Sequence, residues 1–267
     1  MPFYYLCILA LVQGITEFLP ISSSGHLILL PSLLGEDDQG LALDVAVHVG
    51  TLLAVMLYFR KDIFGIIRAY TFDLRKTEAQ HTFNRKLGFY ILLGSIPVII
   101  AGFIMHMLLP EGLRDPRIII ATTLIFGLAL WVADRKQGER PLNTLNWRHA
   151  LIIGCAQILA LIPGTSRSGI TITAALFLGF TRTEAARFSM LLGIPAIAGA
   201  GTLSTIDIIN SGDTILQTDA LISGALSFIT AYAAIFIMMR WLKSSTFTPF
   251  VIYRMILGGV LLFVFLL

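Results

Sequence analysis

Charged residues are scarce in this chain. Asp, Glu, Lys and Arg make up 13% of its 267 residues, whereas about 25% is usual in soluble domains. Hydrophobic residues reach 56%, and the mean hydropathy is +0.83. This composition excludes an ordinary soluble domain and predicts an all-α polytopic membrane protein. The formal net charge of +3 indicates contact with membrane lipids at the inner leaflet and calls for no nucleic-acid partner.

Cysteine is almost absent. Cys7 and Cys155 are the two cysteines, each inside an apolar segment, so the sequence supports neither a disulfide framework nor a cysteine metal site. The first residues also lack the cationic region and the small-residue cleavage site of a signal peptide ahead of Glu17 and Pro20. We expect them to belong to the mature fold.

Six apolar stretches are long enough to cross a bilayer core of about 30 Å as helices. They are residues 41–59, 87–109, 118–133, 187–206, 220–239 and 247–267. Two further stretches, 3–34 and 149–180, are each broken by a cluster of Pro, Ser and Gly into pieces of roughly ten residues, about half of what a crossing needs. The sequence predicts that these two are re-entrant hairpins.

The distribution of basic residues sets the orientation. Loop 60–86 carries seven Lys or Arg residues and is therefore placed inside. Loop 207–219 has Asp but no Lys or Arg, and is placed outside. The span 187–206 must then start inside, so hairpin 149–180 enters from the inner face. The same count makes hairpin 3–34 enter from the outer face.

The two hairpins also form an internal repeat. Gln13 lies twelve residues before Gly25, Gln157 lies twelve before Gly169, and SSSG (22–25) aligns with SRSG (166–169). Repeat 1 covers about 1–133 and repeat 2 about 148–267, each a hairpin followed by three helices. Because the hairpins enter from opposite faces, the sequence predicts an inverted-topology repeat in a single membrane domain, with both broken segments near the bilayer midplane.

Polar residues concentrate at the two breaks. SSSGH and TSRSG each precede a short helix, whose N-terminal N–H groups favour an anion. Arg167 adds a planar fork of donors suited to phosphate. Glu17 and His26 supply a carboxylate and an imidazole for proton transfer, so the residues predict a hydrolase of a phosphate ester or anhydride. Small residues at helix crossings are also common packing residues, which is the alternative for each single Ser.

The sequence allows two roles for the Asp44 and His48 pair, and two for Arg254. Asp44 and His48 lie one turn apart in span 41–59, and either pair with each other or face the mouth of the cavity. Arg254 lies within the last apolar stretch, where it either reaches the cavity or extends to the inner interface. The absence of an acid near Arg254 in sequence favours an anion as its partner.

The stretches QGITEFLPISSSGH and PGTSRSG closely resemble the two signature motifs of the bacterial undecaprenyl-pyrophosphate phosphatases, also called the bacitracin-resistance family. This resemblance extends over the whole chain, including FTPFVIYR. It implies hydrolysis of the terminal phosphate of a C55 polyprenyl diphosphate, which regenerates the carrier for peptidoglycan and other envelope polymers. It also implies a divalent cation, Mg²⁺ or Ca²⁺, in the bacterial inner membrane, with a pocket reached from the periplasm; a homodimer is left open.

The resemblance also assigns residues. It implies catalytic roles for Glu17, Ser23, His26 and Arg167, and a metal-binding role for Glu17. It implies substrate contacts from Gln13, Ser22, Ser24, Ser166, Ser168, Thr171 and Arg254. Gln13 stands at a family position that is often Glu, so a metal site here has one carboxylate instead of two, completed by substrate phosphates.

The mechanistic hypothesis is that Ser23 attacks the terminal phosphorus while Arg167 and a metal neutralise the oxygens. The competing version has His26 as the nucleophile. A transporter or flippase of the lipid monophosphate is the rival function, because inverted repeats are also a transporter architecture. A type-2 phosphatidic-acid phosphatase is disfavoured, since that pattern requires His six residues after the Arg and position 173 is Thr.

Overall fold

A computed structural model describes residues 1–71, 78–108, 113, 115–136, 138–210 and 213–266. The regular structure in these ranges is helical, with two short 3₁₀ turns at Leu142–Thr144 and Leu159–Leu161. The α-helices are α1 Phe3–Thr16, α2 Ser23–Leu34, α3 Gly40–Tyr58, α4 Arg60–Tyr70, α5 Glu78–Leu108, α6 Pro116–Asp134, α7 Trp147–Ile158, α8 Arg167–Phe177, α9 Arg182–Asn210, α10 Thr214–Trp241 and α11 Thr248–Leu266.

Five helices in the described part of the chain are long and apolar enough to cross a membrane. They are Gly40–Tyr58, Ala79–Met105, Pro116–Asp134, Thr214–Trp241 and Thr248–Phe265. Each overlaps a predicted span, so the prediction of an all-helical polytopic membrane protein is confirmed. The sixth predicted span, 187–206, falls in α9, whose first turns carry charges. The side chains of 200–206 lie outside the described residues, and this span stays a prediction.

The stretch predicted as the inner loop, 60–86, is largely helical, and this corrects the sequence interpretation. Arg60–Tyr70 forms α4, and α5 already begins at Glu78. Asp62 in the first turn and Arg68 in the last turn of α4 suit the helix dipole. A methyl group on Gly65 would lie 2.8 Å from the Asn84 side chain, so small residues let α4 and α5 pack closely.

The other helices pack through similar close approaches. A Cβ on Gly50 of α3 would lie 2.1 Å from the carbonyl oxygen of Gly224 on α10. A Cβ on Gly154 of α7 would lie 2.3 Å from the carbonyl oxygen of Gly94 on α5. Such glycine contacts are typical of helix pairs in membranes, where van der Waals packing replaces the hydrophobic effect as the source of stability. The second of these contacts holds the short helix α7 against the long helix α5.

The two predicted hairpins are pairs of short helices. α1 and α2 contain 14 and 12 residues, and α7 and α8 contain 12 and 11. At 1.5 Å per residue none of them spans a bilayer core of about 30 Å. Both breaks, 17–22 and 162–166, contact α11, and the second break also contacts α6. This arrangement positions the site.

Candidate functional site

The two breaks share one unusual backbone conformation. Ser22 has φ 75° and Ser166 has φ 70°, and they are the non-glycine residues with positive φ in the described chain. Each Ser caps the following helix, because its hydroxyl accepts from the backbone N–H of Gly25 (3.4 Å) or Gly169 (3.1 Å). Left-handed backbone is rare for residues other than glycine and tends to persist where function needs it. The conformational match supports the alignment of SSSG with SRSG.

Arg254 of α11 joins both breaks. Its side chain is fully buried, and its donors are directed at five backbone carbonyl groups. The acceptors are the carbonyl oxygens of Pro20, Thr122, Thr123, Gly164 and Thr165, at 3.0–3.3 Å. A guanidinium group has five N–H donors, so each of them has an acceptor. The structure therefore shows Arg254 bracing the two breaks, and the substrate contact expected for it stays a prediction.

Glu17, which follows α1, is the centre of the site. Its side chain is 6% exposed, and both oxygens have partners. Oε1 accepts from Arg167 Nη2 at 3.1 Å, and Oε2 accepts from Ser23 Oγ at 2.7 Å and Gln13 Nε2 at 3.1 Å. Glu17 and Ser23 belong to the first hairpin and Arg167 to the second. The structure thus brings together four of the residues predicted from the two separate motifs.

Arg167, the first residue of α8, is held by residues that the sequence analysis did not identify. Its Nη1 donates to the carbonyl oxygen of Ser189 on α9 at 3.2 Å. The guanidinium lies so close to Gly193 of α9 that a Cβ there would be 2.0 Å from Nη1. Neither position has a local signal, because each is defined only by packing of α9 against α8.

The other serine and threonine residues predicted for the site fall into an accessible group and a buried group. Ser24 is exposed, and Ser23 is half-buried. Four others are buried, at 0–6% exposure: Ser22, Ser166, Ser168 and Thr171. Ser168 Oγ donates across the hairpins to the carbonyl oxygen of Leu19 at 3.0 Å, and Thr171 Oγ1 lies 2.6 Å from Ser189 Oγ. These hydroxyls hold the turns in place, whereas Ser23, Ser24 and Arg167 are accessible to a ligand.

His26 is held between its own turn and α11. Nδ1 lies 2.6 Å from the carbonyl oxygen of Ser22, and Nε2 lies 2.6 Å from the hydroxyl of Tyr253. A carbonyl oxygen only accepts, so Nδ1 carries the proton and neutral Nε2 accepts from Tyr253. The rings also stack, with centroids 5.7 Å apart. Tyr253 was missed in the sequence, where its one signal is that it precedes Arg254.

His48 answers the question left open for span 41–59. Its Nδ1 lies 2.6 Å from the backbone carbonyl oxygen of Asp44, and its Nε2 lies 3.6 Å from Glu17 Oε2. The Asp44 carboxylate accepts from Gln39 Nε2 at 2.7 Å. The imidazole, 32% exposed, therefore faces the site, and the Asp44 carboxylate is directed elsewhere.

The donor set for a cation is small. No cluster of three or more His, Cys, Asp or Glu side chains with metal-site spacing occurs in the described ranges. Glu17 is the carboxylate of the site, and the side-chain oxygen of Gln13 is buried without a hydrogen-bond partner. A carboxylate and an amide oxygen are ligands that Mg²⁺ and Ca²⁺ accept, and Mg²⁺ commonly completes its shell with substrate phosphates and water. These residues fit such a cation.

The arrangement of these groups can support phosphoryl transfer. A hydroxyl at hydrogen-bond distance from a carboxylate forms a nucleophile and base pair. A guanidinium at the same carboxylate supplies the positive charge that stabilises phosphoryl oxygens. Helices α2 and α8 begin directly after the capping residues Ser22 and Ser166. Their free N-terminal N–H groups therefore add to the positive potential that an anion meets.

Comparison with known proteins identifies close relatives. Residues 6–260 match the family model of bacitracin resistance protein BacA. The chain is 49% identical to an undecaprenyl-diphosphatase of Alteromonas mediterranea, over 99% of this chain and 100% of the relative. It is 51% identical to one of Jannaschia sp., over 98% of both chains, and 48% identical to one of Hahella chejuensis, over 96% of both.

Proposed function

Since the chain belongs to the bacitracin resistance protein BacA family and is an undecaprenyl-diphosphatase, we propose that its two hairpin turns form one catalytic pocket in which Ser23 attacks the lipid diphosphate. The products are undecaprenyl phosphate and inorganic phosphate, which returns the lipid carrier to envelope polymer synthesis and opposes bacitracin. One observation carries this assignment: Glu17 contacts Ser23 of its own hairpin and Arg167 of the other.

The proposed architecture is an inverted-topology repeat of six spans and two re-entrant hairpins in the bacterial inner membrane. The matching left-handed Ser22 and Ser166 support the repeat, and the lengths of α1, α2, α7 and α8 support re-entry. The bias of Lys and Arg toward the predicted inner loops supports the orientation. In this arrangement the pocket opens to the periplasmic side, where the diphosphate is released.

In the first step Ser23 Oγ attacks the terminal phosphorus as its proton passes to Glu17 Oε2, 2.7 Å away. A bond forms between Oγ and phosphorus, and the bond from phosphorus to the bridging oxygen breaks. The leaving group is undecaprenyl phosphate, which carries the electron pair as negative charge. Arg167 and the N–H groups of the capped turns hold the phosphoryl oxygens during this transfer.

In the second step water attacks the phosphoserine. The bond between Ser23 Oγ and phosphorus breaks, and protonated Glu17 returns its proton to Oγ, which restores the serine and the carboxylate. Inorganic phosphate leaves with both protons of the water. Both nitrogens of His26 are already hydrogen-bonded, to the Ser22 carbonyl oxygen and the Tyr253 hydroxyl, so His26 holds the turn while it shares in proton transfer. That engagement favours Ser23 over His26 as nucleophile.

A divalent cation, Mg²⁺ or Ca²⁺, fits the donors of Glu17 and Gln13. When bound, such a cation supplies positive charge that polarises the phosphoryl group. Gln13, fully buried next to Glu17, orients the carboxylate, and Arg167 neutralises its other oxygen. The remaining ligands come from the diphosphate and water, as is common for Mg²⁺.

Release of phosphate from C55 diphosphate by the purified protein in detergent tests this function, because no sealed compartment exists there for transport. We expect Ser23→Ala to lose on the order of a thousandfold in rate, and Ser244→Ala, an exposed serine after α10, to keep wild-type activity. The trapped intermediate should be stable in acid and labile in base. An acid-labile adduct on His26, with activity retained in Ser23→Ala, would overturn the assignment of Ser23.

A further inference from the structure

His48 is the one imidazole of the described chain that faces the Glu17 carboxylate within 4 Å, with Nε2 3.6 Å from Oε2. It comes from α3, which belongs to neither hairpin. The side chain is 32% exposed, so its ring is only partly covered by protein. His48 takes no part in the two steps of hydrolysis.

The tautomer of His48 is fixed by its second nitrogen. Nδ1 lies 2.6 Å from the carbonyl oxygen of Asp44, and a carbonyl oxygen can only accept, so Nδ1 bears the proton. In the neutral imidazole, Nε2 then presents its lone pair on the side of Glu17, 3.6 Å from Oε2. An imidazole that donates one N–H to a backbone carbonyl and presents the other nitrogen to a site is the usual arrangement of a metal-binding histidine.

The side chain of Gln13 also lies beside the Glu17 carboxylate. Its Oε1 is buried without a partner, while Nε2 donates to Glu17 Oε2 at 3.1 Å. Rotation of the terminal amide by 180° exchanges the two atoms and places Oε1 beside Oε2. Two acceptor oxygens and an imidazole lone pair repel one another unless a cation lies between them.

We propose that His48 Nε2 is a ligand of the divalent cation, together with Glu17 Oε2 and Gln13 Oε1, and that diphosphate and water oxygens complete the shell. A carboxylate oxygen has two lone pairs, so Oε2 binds the ion through one of them and keeps the other for the Ser23 proton. The separation allows it: two donors 3.6 Å apart can both lie about 2.1 Å from one ion, because twice that radius exceeds their distance. An imidazole nitrogen suits transition-metal ions better than Mg²⁺ or Ca²⁺, and the oxygen ligands of this site also suit Mn²⁺. Mn²⁺ is therefore a suitable probe of the nitrogen ligand. This inference rests on the proposed function of the same pocket.

Electron paramagnetic resonance with Mn²⁺ tests the proposal without measuring turnover. We expect one Mn²⁺ to bind the detergent-purified full chain and to show hyperfine coupling to an imidazole ¹⁴N. His48→Gln should lose that coupling and weaken Mn²⁺ binding on the order of tenfold or more. Its binding of Ca²⁺ should change less, so the affinity for Mn²⁺ relative to Ca²⁺ should fall. His81→Gln, on α5, is the matched control and should behave as the wild type.

Retention of the ¹⁴N coupling and of Mn²⁺ affinity in His48→Gln would overturn the proposal, as would absence of the coupling in the wild type. Loss of hydrolysis with unchanged Mn²⁺ binding would also overturn it, because His48 would then act in another way. Phosphate release by the wild type, measured separately, distinguishes these results from failure of the proposed function. Folding of each variant is checked by its thermal transition and elution volume.

Discussion

The fully buried Arg254 allows a sharp test of how the two hairpin turns are held. Arg254→Lys keeps the positive charge but offers three donors in place of five, so at least two of the five carbonyl contacts are lost. Each buried acceptor left without its donor costs about 1–3 kcal/mol. The carbonyl groups of Thr122 and Thr123 also lie within α6, which reduces the loss. We expect a total of about 2–4 kcal/mol.

The measurement is the thermal unfolding of the purified protein in detergent, beside phosphate release. A loss of that size lowers Tm by roughly 4–16 °C for a chain of this length. Arg117→Lys, at an exposed position of α6, is the control and should leave Tm unchanged. If Arg254→Lys kept its Tm within about a degree and raised only KM for the lipid diphosphate, the bracing role would be refuted. The substrate contact predicted from the sequence would then be correct.

Two further variants test the surroundings of the reacting groups. Gly193→Ala puts a Cβ 2.0 Å from Arg167 Nη1, so displacement of the guanidinium should lower kcat/KM on the order of tenfold to a hundredfold. Gly199→Ala on the same helix meets no atom within 4 Å and should be neutral; equal activity of both variants would contradict the proposed clamp. Tyr253→Phe removes the hydroxyl at His26 Nε2, and phosphate release should fall roughly two- to tenfold, the loss of about one hydrogen bond. Wild-type rates in that variant would exclude a role for this contact.

Much of the architecture could be predicted because the bilayer imposes simple length rules. An apolar run of about twenty residues can hardly be anything other than a helix in hydrocarbon. Five of the six predicted spans match helices, and most of their ends agree within a few residues. The breaks at 17–22 and 162–166 could also be predicted, since Pro, Ser and Gly clusters rarely continue a helix. α4 was not predicted, because its charged residues fit an inner loop as well as they fit the polar face of an amphipathic helix.

The site was predictable where its residues lie in the two motifs. Gln13, Glu17 and Ser23 occupy one short stretch, so their proximity follows from local chain geometry. His48, Ser189, Gly193 and Tyr253 come from other helices, and only tertiary packing brings them to the pocket. Arg254 shows a different limit. An arginine surrounded by backbone carbonyl groups and one that binds an anion both lack a nearby acid in sequence, so composition alone could not separate the two.

The hydrogen bonds of Arg254 to both breaks limit how far the two predicted repeats can move against each other. Alternating access requires one repeat to rock against the other around a central site. Here the buried Arg254 side chain donates to carbonyl groups of both breaks, so such a motion would break several buried hydrogen bonds at once. Hydrolysis at the proposed site requires no such motion, whereas passage of lipid between leaflets by alternating access would have to leave these hydrogen bonds intact or break them together.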